Sequence, residues 1–222
     1  MTQKIIFVTG HHRGGTHEFS EHLEKIEALP LIMEDLYMFD DMKILDMLLL
    51  GQTYHWGKNG KEIIYHPEYV EKGFILQCPG LACHCADLAK IGEVYWCNRD
   101  PQGVAASIAY GGFNNMLWDI MKSFKAKFPD DPIWSELIYS DRDDPHSGFL
   151  GYAYLLTKVK EYFFDKYFKS IVRQVVKLED QAYYDFSKTS LATRPLTAQK
   201  LQRITKVETL NESLCVRQDP GK

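Results

Sequence analysis

The sequence predicts an α/β fold, a three-layer sandwich with a central parallel sheet. Short apolar runs alternate along the chain with longer stretches of helical period, which is the pattern of successive βαβ units. The first run, "KIIFVT", is continuously apolar, as a strand buried on both faces is. The chain has 222 residues, 45% of them hydrophobic, enough to close one sizeable core but hardly two, so a single domain over 1–222 is expected.

Each element follows from a local pattern. A helix is expected from about Thr16 to Ala28, where Phe19, Leu23 and Ile26 share one face. "LPLIM" reads as a second strand and "LYMFDDMKILDMLLL" as a helix closed by Gly51. The stretch from Gln52 to Lys61 reads as loop, and "EIIYHPEYVEK" fits neither period cleanly. "FILQC" is a third strand stopped by Pro79 and Gly80, with a helix to about Ile91 behind it. "VYWCN" is a fourth, leaving Arg99 where strand becomes loop, and Val104 and Ile108 mark a helical stretch from Gln102 to about Tyr110.

Residues 111–147 are irregular, their "GG", "NN", "PDDP" and "DRDDPHSG" marking turns around amphipathic pieces. Trp56, Phe113, Trp118 and Trp134 would lie near the ligand-binding edge in this topology, as an acceptor pocket or lid, or as ordinary loop packing. The aromatic residues of "FLGYAYLLTKVKEYFFDKYF" recur at helical spacing and read as core. "IVRQVVKL" is a fifth strand, and after Pro195 "LTAQKLQRITKVETLNESL" is a last helix.

Composition narrows the function classes. A net charge of −4 and a pI of about 6.1 provide no general attraction to nucleic acid or an acidic membrane, so any bound anion needs a local cluster. No apolar run approaches the ~18 residues of a membrane span, and "MTQKIIFVTG" is too short for a signal-peptide core, so a soluble cytoplasmic protein is expected. Five cysteines are an odd number, which favours reduced thiols over a disulfide framework. "HEFSEH" imitates a zinc motif, but His17 and His22 stand about 140° apart on a helix of ~3.6 residues per turn and cannot chelate one ion. "CPGLACHC" has no second cysteine knuckle. No metal is expected.

The chemistry gathers at "FVTGHHRGGTHEFSEHL". Gly10 and Gly15 have the spacing of the phosphate-cradling loop G-x-x-x-x-G-K-[ST], whose backbone N–H groups and following helix N-terminus attract an oxyanion. Thr16 stands where such a loop has lysine, and His17 where it has its magnesium-holding hydroxyl. The basic residue lies inside the loop, at Arg13. A guanidinium suits a tetrahedral oxyanion without a metal, which speaks against a magnesium-dependent ATPase.

These residues carry a family resemblance. "GHHRGGTH" resembles the G-x-P-R-S-G-T-T loop of sulfotransferases, with His12 at the usual proline, Gly14 at the serine and His17 at the second threonine. "NRDPQGVAAS" resembles the family's Arg-x-Pro motif with a serine eight residues after the arginine: Arg99, Pro101 and Ser107. "VVKLEDQAYYDF" is similar to the segment ending the family's last strand, with Leu178 in place of an aromatic, followed by Glu179 and Asp180. "ILQCPGL" has Gln77 where many members have lysine. The resemblance runs in order over most of the chain.

The resemblance implies a P-loop-nucleotide-hydrolase-like fold and transfer of a sulfuryl group from 3′-phosphoadenosine 5′-phosphosulfate (PAPS) to a hydroxyl or amine on a small molecule, glycan or peptide. It puts Arg13, Gly14, Gly15, Thr16 and His17 at the 5′ end of this cofactor, and Arg99 and Ser107 at its 3′-phosphate. For the base it offers Glu21, at the offset used by the heparan-type branch, Glu34, matching the tyrosylprotein branch, and His84 behind them. Two rivals remain: a nucleotide kinase or other phosphoryl transferase, and a non-catalytic nucleotide-binding protein of the same fold.

Overall fold

The computed structural model describes residues 3–33, 42–57, 60–101, 103, 104, 107, 116–136 and 148–180. The chain enters through β1 (Lys4–Gly10) and turns into α1 (Thr16–Glu27), followed by β2 (Leu31–Ile32) and α2 (Lys43–Leu49). Then come β3 (Gln52–Gly57), β4 (Gly60–Tyr65), α3 (Pro67–Glu71) and β5 (Gly73–Gln77). A 3₁₀ turn over Pro79–His84 leads into α4 (Cys85–Leu88) and β6 (Glu93–Asn98). After these lie α5 (Met116–Lys127), α6 (Ile133–Glu136), α7 (Gly148–Phe163) and β7 (Gln174–Lys177).

Five strands form one parallel sheet in the order β2-β5-β1-β6-β7, with Phe7 beside both Leu76 and Val94. β1 is central and its side chains divide by parity. Ile6 and Val8 pack with Phe19 and Leu23 of α1, and with Ile75, Tyr95, Cys97 and Val176. Ile5 and Phe7 pack on the other face with Leu45 and Leu48 of α2, Phe124 of α5 and Val159 and Phe163 of α7. Helices thus cover both faces, an arrangement compatible with a three-layer α/β fold. Each fully buried Leu, Ile or Phe contributes on the order of 1.5–3 kcal/mol to this core.

The aromatic residues of the long helix belong to that core. Phe164 stacks on Trp96 at 4.8 Å between ring centroids, and Phe163 on Phe128 at 4.6 Å. The helix closes in a π turn over Phe164–Phe168, and β7 begins only at Gln174, later than the run "IVRQVVKL" suggests. Among the described residues no helix is long and apolar enough to cross a membrane.

Other elements depart from expectation. The stretch expected as loop is a hairpin, β3 against β4, in which Gly57 pairs with Gly60 and Gln52 with Tyr65. It was hard to see because Ile63, Ile64 and Tyr65 are all exposed, so successive residues do not alternate between core and solvent. The helix expected to reach Ile91 is a 3₁₀ turn joined to a single α-turn, since Pro79 and Gly80 open it and the chain must re-enter the sheet at Glu93. The irregular 111–147 segment holds the twelve-residue α5, bound to the core through Ile120, Met121 and Phe124. Glu34 and the expected last helix lie outside the described residues.

Candidate functional site

In parallel sheets ligands bind beyond the strand C-termini where the strand order reverses. Here β1 is followed by β2 at the edge, β5 returns beside β1, and the chain then crosses to β6 on β1's other side. The crevice therefore opens between the ends of β1 and β6. The glycine-rich loop 11–15 sits there.

The loop is a tight turn tied to the neighbouring strand. The His11 N–H donates to the Cys97 carbonyl at 3.0 Å, and the Gly14 N–H donates back to the His11 carbonyl at 3.0 Å. Gly10 has φ 116°, and a Cβ there would overlap the Cys97 carbonyl. Gly15, with φ 86°, caps α1 without a side-chain hydrogen bond. Among the described residues the backbone N–H groups of Gly15, Thr16, His17 and Glu18 have no acceptor. Such orphan donors at a helix start, with the helix dipole behind them, are an anion's natural partners.

Arg13 is left-handed, φ 59°, which costs a residue with a Cβ on the order of 1–2 kcal/mol. Its conformation is held at both ends. Arg99 Nη1 donates to the Arg13 carbonyl at 3.2 Å, and Arg13 Nε donates to Ser107 Oγ at 3.0 Å. The turn after β6 that carries Ser107 is capped by Asp100, whose Oδ2 accepts from the Gly103 N–H at 2.8 Å. Arg13, Arg99 and Ser107 thus form one cluster, whereas the sequence reading separates Arg13 at the sulfuryl end from the other two at the 3′-phosphate. Ser107 is buried and, while accepting from Arg13, keeps its hydroxyl proton to donate.

Beneath the loop lies a buried polar layer. Thr16 Oγ1 accepts from Gln77 Nε2 at 2.9 Å, so this glutamine braces the first turn of α1. The cation comes from elsewhere. Lys160, on α7 and only 1% exposed, donates from Nζ to the Gly10 carbonyl at 2.7 Å, the Pro79 carbonyl at 2.9 Å and His12 Nδ1 at 3.0 Å. Sequence reasoning missed it. The available signal is that Leu156, Val159, Lys160 and Phe163 form one core-facing stripe, so this lysine stands at a core position.

The two adjacent histidines take opposite tautomers. An ammonium can only donate, so His12 accepts at Nδ1 and carries its proton on Nε2. His11 Nδ1 faces the Arg99 carbonyl at 3.3 Å, and a carbonyl can only accept, so His11 carries its proton on Nδ1. Among the described residues, the buried ring atoms His11 Nε2 and His12 Nε2 make no hydrogen bond. Burial, then the Lys160 charge, depresses the His11 pKa to about 3 and keeps the ring neutral.

The remaining candidates stand outside this cluster. His17 and Glu21 pair with each other at 3.0 Å on the exposed side of α1. His84 Nδ1 lies 3.7 Å from Asp87, a carboxylate that Lys127 and Lys90 hold down at about 2. Trp134 donates to the Phe128 carbonyl at 2.6 Å and rests on Phe163, as packing would have it. Phe113 and the side chains of Trp56, Trp118 and Glu179 lie outside the described residues.

Among the described residues no three His, Cys, Asp or Glu side chains are placed to hold a metal ion. Cys78, Cys83, Cys85 and Cys97 are buried thiols, with burial raising Cys85 to about 12. The groups gathered at the loop are therefore donors and cations: backbone N–H groups, two guanidinium groups and a serine hydroxyl. They fit a tetrahedral oxyanion. No protein-family model matches the chain, and no curated protein matches it significantly.

Proposed function

We propose that the chain is a PAPS-dependent sulfotransferase, a soluble cytoplasmic enzyme on a P-loop-like fold. One observation carries the reading. Arg13, in the glycine-rich loop, meets Ser107, from a motif 94 residues away, at 3.0 Å, and Arg99 of that second motif grips the loop backbone. A loop that bound only a nucleoside triphosphate through magnesium would need neither partner, and it would need the lysine that Thr16 replaces.

The bound donor would supply an activated sulfuryl group. Around it, the N–H groups of Gly15, Thr16 and His17 would hold oxyanion charge, and Arg13 would neutralise charge on the leaving oxygen. Arg99 and Ser107 would fix the 3′-phosphate, and their bonds to Arg13 would tie that contact to the alignment of the reacting end. The acceptor's proton needs a base. Glu21 is nearest to the loop in sequence and is freed by breaking its bond to His17; Glu34 is the second candidate. The acceptor is a hydroxyl or amine of a small molecule, glycan or peptide.

Thermal stabilisation tests this. At a hundredfold excess over its dissociation constant, 3′,5′-adenosine bisphosphate should add about 2.7 kcal/mol of stability, and Arg99→Ala should lose most of it. Stabilisation by ATP with magnesium, and none by the bisphosphate, would instead identify a phosphoryl transferase.

A further inference from the structure

We propose that Lys160 is the positioning residue of the oxyanion loop, a cation placed behind the backbone where a phosphate-binding loop ordinarily carries one within its own sequence. The inference rests on the loop being an anion site, as the proposed function requires, but not on the anion being a sulfuryl donor.

Three contacts carry it. The Gly10 carbonyl ends β1, the Pro79 carbonyl follows the end of β5, and His12 lies within the loop; one ammonium binds all three at 2.7–3.0 Å. It thereby fixes the spacing of two strand ends and the loop between them. A lysine in water would lose this geometry to rotamer freedom, whereas at 1% exposure the stem is packed among core residues of α7. The same contact selects the His12 tautomer, making Nε2–H a donor. The buried His12 Nε2–H then lies within the same loop that carries the Arg13 guanidinium and is gripped by Arg99, with Lys160's charge on the loop's inner side. A neutral ligand gains nothing from that arrangement, and a tetrahedral oxyanion of the sulfate or phosphate class gains most.

The test uses the full chain, wild type and Lys160→Met, a substitution that keeps the stem's volume and removes the charge. Inorganic sulfate and 3′,5′-adenosine bisphosphate are titrated calorimetrically, and ¹⁵N shifts of the His12 ring are read in parallel. The expected result is at least a tenfold loss of affinity for both anions, with His12 passing from a single Nε2–H tautomer to a mixture. A variant that binds both anions as tightly as wild type overturns the proposal, and so does lost affinity with an unchanged His12 tautomer. If Lys160→Met does not fold, the wild-type ring decides: an Nε2–H tautomer whose shifts move on adding sulfate supports the proposal, and an Nδ1–H tautomer or an unmoved ring overturns it. Wild-type protein whose sulfate binding is weakened in Lys160→Met, but which does not bind the bisphosphate, would refute the sulfotransferase reading alone. Binding of neither anion would refute both.

Discussion

Lowering the pH should cost this protein stability well before its carboxylates titrate, and His11 is the reason. In the unfolded chain the ring has an ordinary pKa of 6.5; in the folded state burial and Lys160 hold it at about 3. The depressed folded value fixes the sign. Above pH 6.5 neither state binds the proton and His11 imposes no penalty, and as pH falls below 6.5 the unfolded state gains a proton that the folded state refuses. Stability falls with a slope approaching ~1.4 kcal/mol per pH unit, which amounts to about 2 kcal/mol between pH 7 and pH 5. The figure does not depend on the folded value so long as that lies below about 4. Urea denaturation of wild type and His11→Gln at both pH values measures it. The variant's own loss of packing cancels, since each protein is compared with itself. Wild type should lose about 2 kcal/mol more than the variant over this range. Equal losses would show that the buried ring takes up a proton freely, and the tautomer argument built on it would fall.

Three further perturbations probe the same architecture. Thr16→Val should destabilise by ~1–3 kcal/mol in urea, because the buried Gln77 amide loses its acceptor, while Thr16→Ser should stay near wild type. Gly10→Ala should cost at least ~2 kcal/mol, or block folding, since its φ of 116° is strained for alanine and the added Cβ meets backbone that cannot step aside; denaturation midpoint and soluble yield report it. Asp131 has a buried carboxylate that Tyr162, Lys166, Tyr167 and the Ile133 N–H all donate to. Burial opposes its charge, but those donors outweigh it and hold the group at about 2, so its stabilisation is complete above pH 3.8 and disappears as pH falls toward 2. Acid titration of Asp131→Asn should therefore be flatter than wild type over pH 4 to 2.

What the sequence made legible depended on how local the determining physics is. β1 and the loop behind it could be read because a continuously apolar run, closely spaced glycines and a helical stripe through Phe19 and Leu23 lie side by side. The hairpin could not, because its pairing is set between β3 and β4 while Ile63 and Ile64 face solvent. Lys160 was invisible for a different reason. Lysine on a helix is expected at the surface, and its burial depends on acceptors at Gly10, His12 and Pro79, which lie 81 to 150 residues away. The meeting of Arg13 with Ser107 was half legible. Each motif could be placed at a strand end, but that those strands are neighbours is a property of the sheet order.

The central claim is that Arg99 and Ser107, braced by Arg13, read a 3′-phosphate. Calorimetric titration of 3′,5′-adenosine bisphosphate against adenosine 5′-monophosphate, which differs only in that group, tests it most directly. Charge-assisted hydrogen bonds of ~1.5–3 kcal/mol predict that wild type prefers the bisphosphate by roughly tenfold to a hundredfold. Arg99→Ala and Ser107→Ala should each reduce that preference toward unity, with a smaller loss of monophosphate affinity because both residues also hold Arg13 in the loop. Equal affinity of wild type for the two nucleotides would contradict the account.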